Sequence, residues 1–273
     1  MTVTITASDV NKLRTMTGAG MMDCKKALTE TNGDFEAAID LLRKKGQKVA
    51  ANRSDRDAKE GRIVAMTNGQ RGILVALNCE TDFVAINEDF GKTTDAFAKL
   101  ALEKAPADLA ALLALPYEGT TVGEKVIEMV GRIGEKIELG KYEQISAASV
   151  VAYNHPGNKL ACIVGFNKVV SEELGKNVAM QVAAMAPVSV DKDDVDASML
   201  ERELEIAREQ VRAEGKPEDM VEKIAQGKIN KFYKESTLLN QEFIKDSKKS
   251  IRQYLQDTDK ELTVTGFKRI VLG

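Results

Sequence analysis

A pair of apolar runs, a turn between them, a polar link, a helical stretch and an Ala-Pro pair occur in that order twice, and no other feature limits the fold as much. In the first copy, residues 62–67 and 72–78 are β-branched and apolar and flank Asn68-Gly69-Gln70-Arg71. A helical pattern follows from about Glu88, with Phe90, Phe97, Leu100 and Leu102, and stops at Ala105-Pro106. In the second copy, residues 149–153 and 160–166 flank Asn154-His155-Pro156-Gly157-Asn158. A helix from about Glu172, carrying Val178, Met180, Val182 and Met185, then stops at Ala186-Pro187. Short polar turns between apolar runs close hairpins, and a proline ends the helix before it. The succession predicts an α+β fold: two core subdomains with antiparallel sheets, related by duplication.

The flanking segments have a different character. Residues 1–46 read as a three-helix domain. Ser8 caps a helix with Val10, Leu13 and Met16 at helical spacing, Gly18-Ala19-Gly20 breaks it, and a second helix starts at Met21 or Met22 and stops at Asn32-Gly33. Asp34 caps a third helix, with Phe35, Ala38, Ile39, Leu41 and Leu42, that ends at Gly46. So short a bundle has a small core. Residues 47–61 form a basic linker, read as a solvated connector or helix extension, with RNA contact as the alternative. The core then divides into an N-subdomain, 62–146, and a C-subdomain, 147–273. Into the latter an antiparallel helical hairpin is inserted at about 195–235. There Leu200, Leu204, Ala207 and Val211 keep coiled-coil spacing, Gly215-Lys216-Pro217 turns the chain, and Val221, Ile224, Ala225 and Phe232 return. Residues 261–272 suit a closing strand around Gly266.

Several function classes are excluded by what is scarce. A net charge of −3 argues against broad nucleic-acid binding. The 3 cysteines, Cys24, Cys79 and Cys162, are far apart and form no CxxC pair, which suits a reducing cytosol and gives no disulfide framework or zinc site. The N-terminus, MTVTITASDVNKLR, lacks the basic and apolar regions of a signal peptide, and residues 178–190 are too short an apolar run to span a membrane. A cytoplasmic protein is expected. Gly91-Lys92-Thr93-Thr94 imitates the end of a phosphate-binding loop, but Ile86 stands where that motif needs glycine. With His155 the single histidine, and no acids grouped with it at ligand spacing, neither a catalytic constellation, a metal site nor a cofactor is expected.

Two segments carry more information. Thr-Gly-Ala-Gly-Met-Met-Asp-Cys-Lys-Lys-Ala-Leu, residues 17–28, puts Met21 and Met22 side by side after a glycine turn, and adjacent helical residues cannot face the same way. Both serve the small core, or they form an apolar patch that docks a partner. Asn-Cys-Glu-Thr-Asp-Phe-Val-Ala, residues 78–85, comes directly after a strand end. Either Phe83 fills the core and Asp82 caps the next helix, or the loop thrusts both outward.

The run TGAGMMDCKKALTETNGDFEAAIDLLRKKG resembles the amino-terminal signature of the elongation factor Ts family, and NCETDFVA is similar to that family's second signature. Arg132-Ile133-Gly134-Glu135, Tyr153-Asn154-His155-Pro156-Gly157, Glu214-Gly215-Lys216-Pro217 and Val264-Thr265-Gly266-Phe267 extend the likeness over nearly the whole chain. Gln241-Glu242-Phe243-Ile244 departs from members that carry proline before the phenylalanine, and some members continue past the position of Gly273 into a further helical module.

The resemblance implies a ubiquitin-associated-like first domain and a guanine-nucleotide exchange factor of translation elongation without bond chemistry of its own. Its partner would be elongation factor Tu, GDP-bound or nucleotide-free, with no membrane and no direct nucleic-acid contact. A homodimer and a two-plus-two complex both fit. Thr81, Asp82, Phe83 and Val84 would dislocate the partner's magnesium. Leu13, Met21, Met22, Lys25, Ile133, Gly134, His155, Phe243 and Ile244 would hold the partner. An adaptor using the first domain alone would not need the Thr-Asp-Phe loop, and an RNA-binding protein would rest on the basic stretch and lose binding with salt.

Overall fold

The computed structural model describes residues 4–273. The first three residues, part of the expected 1–46 domain and of the stretch read for a signal peptide, lie outside them.

Helix α1, Ala7–Thr17, begins with a reciprocal cap: Thr6 Oγ1 accepts the Asp9 amide while the Asp9 carboxylate accepts the Thr6 amide. The cap thus falls two residues before the expected Ser8. Helix α2, Met21–Glu30, starts after the glycine turn, and Asn32 and Gly33 take left-handed φ values beyond its end, as glycine-rich helix stops do. Asp34 Oδ1 accepts the Ala37 amide and opens α3, Phe35–Ala51. Val10, Leu13, Cys24, Ala27, Leu28 and Ala38 form the bundle core. Helix α3 continues past the expected stop at Gly46 to Ala51, into the stretch read as a linker. Gly46 does not end it because it is buried inside the helix, where its missing side chain serves packing.

Strands β1, Glu60–Thr67, and β2, Arg71–Cys79, are joined at Asn68-Gly69. A single turn, α4, Asp82–Ala85, leads to α5, Glu88–Lys104, capped by Asn87 and ended by Ala105 in the left-handed region. Then come α6, Leu109–Leu113, the short strands β3, Pro116–Tyr117, and β4, Thr120–Thr121, and helix α7, Val122–Ile133. Strand β5, Ile137–Ser146, completes a sheet of order β1-β2-β5.

Strands β6, Ser149–Asn154, and β7, Leu160–Phe166, form the second hairpin, and α8, Glu172–Met185, comes next with Ser171 as cap and left-handed Ala186 as stop. Both copies of the plan therefore end their helix the same way. They differ in the link: residues 80–87 join β2 to α5, whereas residues 167–171 join β7 to α8. Helices α9, Ala197–Ala213, and α10, Glu218–Ser236, pack through Ala207, Val211, Val221, Ala225 and Ile229. Arg208–Glu222, Arg212–Glu218 and Glu214–Lys228 pair along their flank, contacts that add little individually in water. Strands β8, Glu242–Phe243, and β9, Asp246–Ser250, helix α11, Ile251–Gln256, and β10, Val264–Val271, finish the chain. Strand β10 lies antiparallel to β7 with a register shift between Val264 and Gly266, giving the order β10-β7-β6 over a core that includes Phe166, Val178, Val182, Ile251 and Leu255.

The architecture is α+β with small antiparallel sheets, as expected. It divides into two units, one holding the chain up to Val64, Val75–Tyr142 and Leu272–Gly273, the other Ala65–Leu74 and Glu143–Val271. Within the first, α3 crosses α7 at Gly46 and Gly131, where a Cβ on Gly131 would lie 2.7 Å from the Gly46 Cα. Only glycine permits that approach. Gly131→Ala should therefore cost roughly 1–3 kcal/mol, the usual range for overpacking, read as a lower thermal midpoint; an unchanged midpoint would show that the crossing can spread.

Candidate functional site

Strand β2 ends at buried Cys79, and the next two residues, Glu80 and Thr81, anchor the loop that leaves it. Glu80 keeps only 15% of its side chain exposed, and its carboxylate accepts from Arg53 Nη1 at 2.7 Å, Arg56 Nη1 at 3.1 Å and the Lys136 amide at 2.6 Å. Loss of water around the group opposes its charge, but the Lys136 amide and the two guanidiniums prevail and hold the carboxyl down at about 2. Arg53 and Arg56 belong to the basic stretch read as a solvated linker, so part of that stretch is tied to the root of the loop. Lys136 Nζ adds bonds to the Ser54 and Arg56 carbonyls at 3.1 and 2.9 Å.

Thr81 is the helix cap, not Asp82. Its hydroxyl donates to Glu135 Oε1 at 2.7 Å and accepts from the Val84 amide, and its own amide donates to Glu135 Oε2 at 3.0 Å. Cys79 Sγ donates to the Thr81 carbonyl at 3.1 Å. Burial, with Glu135 and Glu60 nearby, pushes that thiol up to about 12, so it stays protonated and unreactive.

The turn these bonds hold leaves Val84 and Ala85 half-buried and points two larger apolar residues away from the core. Phe83 is 78% exposed and Ile86 80%, three positions apart and on one side of the turn, while Asp82 is exposed beside them. The core reading of Phe83 is thereby set aside. Phe83 and Val84 line a cleft of about 550 Å³ with Asn87 and Asp89, with Asn11, Arg14, Thr15 and Gly18 of the bundle, and with Arg132 and Ile133 at the end of α7. The Arg132 side chain lies over Gly18, where a Cβ would come within 3.0 Å of Nη1. Gly134 has φ +83° and open space beside it, and it lets the chain leave α7 so that Glu135 faces Thr81.

The fold thus gathers Thr81, Phe83, Val84, Ile133 and Gly134 in one region. Met21 and Met22, 52% and 76% exposed, and Lys25 stand on the surface of α2, joined by exposed Met16, which spacing alone assigned to a helix face. Leu13 needs correction as a surface contact: it is fully buried among Val10, Cys24 and Leu28, because a bundle this small uses every large aliphatic side chain on its inner faces. Phe243 needs the same correction. It is 5% exposed and stacked on Tyr254 with ring centroids 4.3 Å apart, leaving its neighbour Ile244 at the surface, held by a bond from its amide to Gln181 Oε1. His155 is exposed in the β6–β7 turn, its Nδ1 3.0 Å from the Tyr153 hydroxyl. Phe243, Ile244 and His155 all belong to the second unit.

Arg132, Glu135, Glu80 and Ile86 have no role that the sequence alone assigns. The first two sit inside the Arg-Ile-Gly-Glu motif, but nothing in the linear order joins Glu135 to Thr81 across 54 positions. Among the described residues no cluster of His, Cys, Asp and Glu could hold a metal ion, and no helix is long and apolar enough to cross a membrane.

Residues 80–273 match the family described as Elongation factor TS. The chain is 52% identical over 274 residues to elongation factor Ts of Flavobacterium psychrophilum, covering 99% of each protein. It is 55% identical over 277 residues to that of Cytophaga hutchinsonii, again covering 99% of each, and 50% identical over 270 residues to that of Porphyromonas gingivalis, covering 98% of each.

The Glu80 anchor has a pH signature. Because the folded carboxyl sits near 2, below its ordinary 4.5, its stabilising contribution is complete above about pH 4.5 and disappears as pH falls toward 2. Glu80→Gln should lower stability at pH 7 by roughly 1.5–3 kcal/mol, the range for hydrogen bonds to charged groups. The gap between the two proteins should close on acidification, as urea unfolding at a series of pH values would read. A gap independent of pH would refute the ionised anchor.

Proposed function

This chain belongs to the elongation factor Ts family, and we propose that it acts in translation elongation as the guanine-nucleotide exchange factor of elongation factor Tu, releasing GDP so that GTP can bind. The observation that carries the reading is Phe83, a large aromatic side chain left 78% exposed on a turn tethered at its root. An exposed phenylalanine on a floating loop would signify little; one on a fixed turn is a wedge held ready.

A GTPase grips GDP through its phosphate loop and a magnesium ion bridging phosphate oxygens to the protein. In this reading Phe83 enters an apolar gap in the nucleotide-binding domain while Asp82 brings a carboxylate near the metal's protein ligands. Burying one phenylalanine supplies about 1.5–3 kcal/mol, and each 1.4 kcal/mol is tenfold, so the wedge weakens GDP binding by roughly 10–100-fold. Met21, Met22 and Lys25 dock the ubiquitin-associated-like bundle. Ile133 and Gly134 form the wall beside the wedge, and His155 and Ile244 engage the partner from the second unit. Contacts at several places raise the effective concentration of the wedge at its gap. Leu13 and Phe243 act from inside, by holding those surfaces in shape. Coupling between two ligands is reciprocal: whatever factor the protein takes from GDP affinity, GDP takes from its own. Incoming nucleotide then displaces the protein, and the cycle needs no bond chemistry from it.

Stopped-flow release of a fluorescent GDP analogue from elongation factor Tu tests the reading. The chain should accelerate release in a saturable way, and Phe83→Ala should reduce the effect by roughly 10–100-fold. Its thermal midpoint should stay unchanged, since the side chain has little packing to lose. Normal exchange by Phe83→Ala would remove the wedge from the mechanism, and absence of acceleration by the unaltered chain would remove the exchange function.

A further inference from the structure

Helix α4 has four residues, far fewer than a helix needs to persist in water on its own backbone bonds. Its own closures are the Ala85 amide to the Thr81 carbonyl at 3.2 Å and the Ile86 amide to the Asp82 carbonyl at 3.0 Å. Something outside the turn must keep it formed, and the contacts of Thr81 identify it.

A hydroxyl has one hydrogen and two lone pairs. The Thr81 hydrogen is committed to Glu135 Oε1, which leaves a lone pair facing the Val84 amide, the bond that starts the turn. The other carboxylate oxygen takes the Thr81 amide. Glu135 therefore fixes both the backbone direction of Thr81 and the orientation of its hydroxyl. The next residue repeats the grip, for the Lys136 amide donates to Glu80. Two consecutive residues after α7 thus hold two consecutive residues after β2. Charge-assisted bonds of this kind are the strong ones.

We propose that Glu135 is the positioning residue of the exchange loop: through Thr81 it keeps Asp82–Ala85 wound, so that Phe83 and Ile86 face outward before any partner arrives. The inference rests on the exchange reading for its functional consequence, but the positioning itself can be measured without a partner. The chain has no tryptophan, so Phe83→Trp places the sole indole at the tip of the loop.

In that background Glu135→Ala should lower tryptophan anisotropy, with Glu135→Gln intermediate and Thr81→Val, which removes the hydroxyl but keeps the amide, changing it in the same direction. Far-ultraviolet circular dichroism should stay as it is, while the thermal midpoint falls, as the loss of bonds to a charged group requires. In the native Phe83 chain, Glu135→Ala should reduce the saturating rate of GDP release roughly tenfold or more, with the half-saturating concentration within about threefold, because the docking surfaces remain. Unchanged anisotropy overturns the proposal, whether or not the midpoint falls; a lowered midpoint without a loosened tip makes Glu135 a structural residue only. An unchanged saturating rate alongside a loosened tip overturns it too. If the unaltered chain fails to accelerate release, the exchange reading falls, and the anisotropy comparison still decides whether Glu135 holds the turn.

Discussion

A carboxylate with most of its surface shielded from water stays charged only if its oxygens are well partnered, and the features around the loop depend on how Glu80 meets that demand. Its partners come from two places in the chain, the arginines after α3 and the amide of Lys136 after α7, and it stands itself at the end of β2. Satisfying one charge thereby ties the bundle's exit, the first sheet and the exit of α7 at a single point. Replacing the carboxylate would release the three segments together, a larger effect than the loss of any one ion pair at the surface.

That tie allows an unfavourable arrangement beside it. Phe83 and Ile86 face water, where apolar side chains contribute nothing to stability. The first unit carries them because its stability comes from elsewhere: the apolar interior of β1 and β2, the face of α5, and the glycine-to-glycine crossing of α3 and α7. Thr81 and Glu135 already restrict the exposed ridge, so any contact made there requires little additional ordering.

Much of this was legible in the sequence, and the limits have physical causes. The two hairpins and the helices α5 and α8 declared themselves through short-range signals: β-branched runs, Asn-Gly, and Ala-Pro stops. Strand β5 went unread because it alternates weakly, contains Gly140 and carries Glu138, Lys141 and Glu143, whereas α7 went unread despite legible signals, the Thr121 and Glu124 cap and apolar Val122, Val126, Met129 and Val130 at helical spacing. The loop's exposed phenylalanine was visible only as one of two alternatives, since burial depends on what packs opposite. Leu13 and Phe243 were named as partner contacts by family resemblance, and a resemblance records which residues matter together, not which face they occupy. The bonds from Glu135 to Thr81 had no local trace at all, as both groups are ordinary in their own neighbourhoods.

The unequal links of the two hairpin-and-helix copies have a consequence for how such a protein can change. Where the second copy passes from strand to helix through residues 167–171, the first takes the longer route of residues 80–87, and the surplus is the turn bearing Phe83. That turn is thus an addition to a scaffold that elsewhere performs the same passage without it. The tip can therefore vary in sequence without disturbing the passage from strand to helix, provided that Glu80 and Thr81 keep their bonds to Lys136 and Glu135. A feature that looks like an irregularity in a repeat is what makes the two copies separately evolvable.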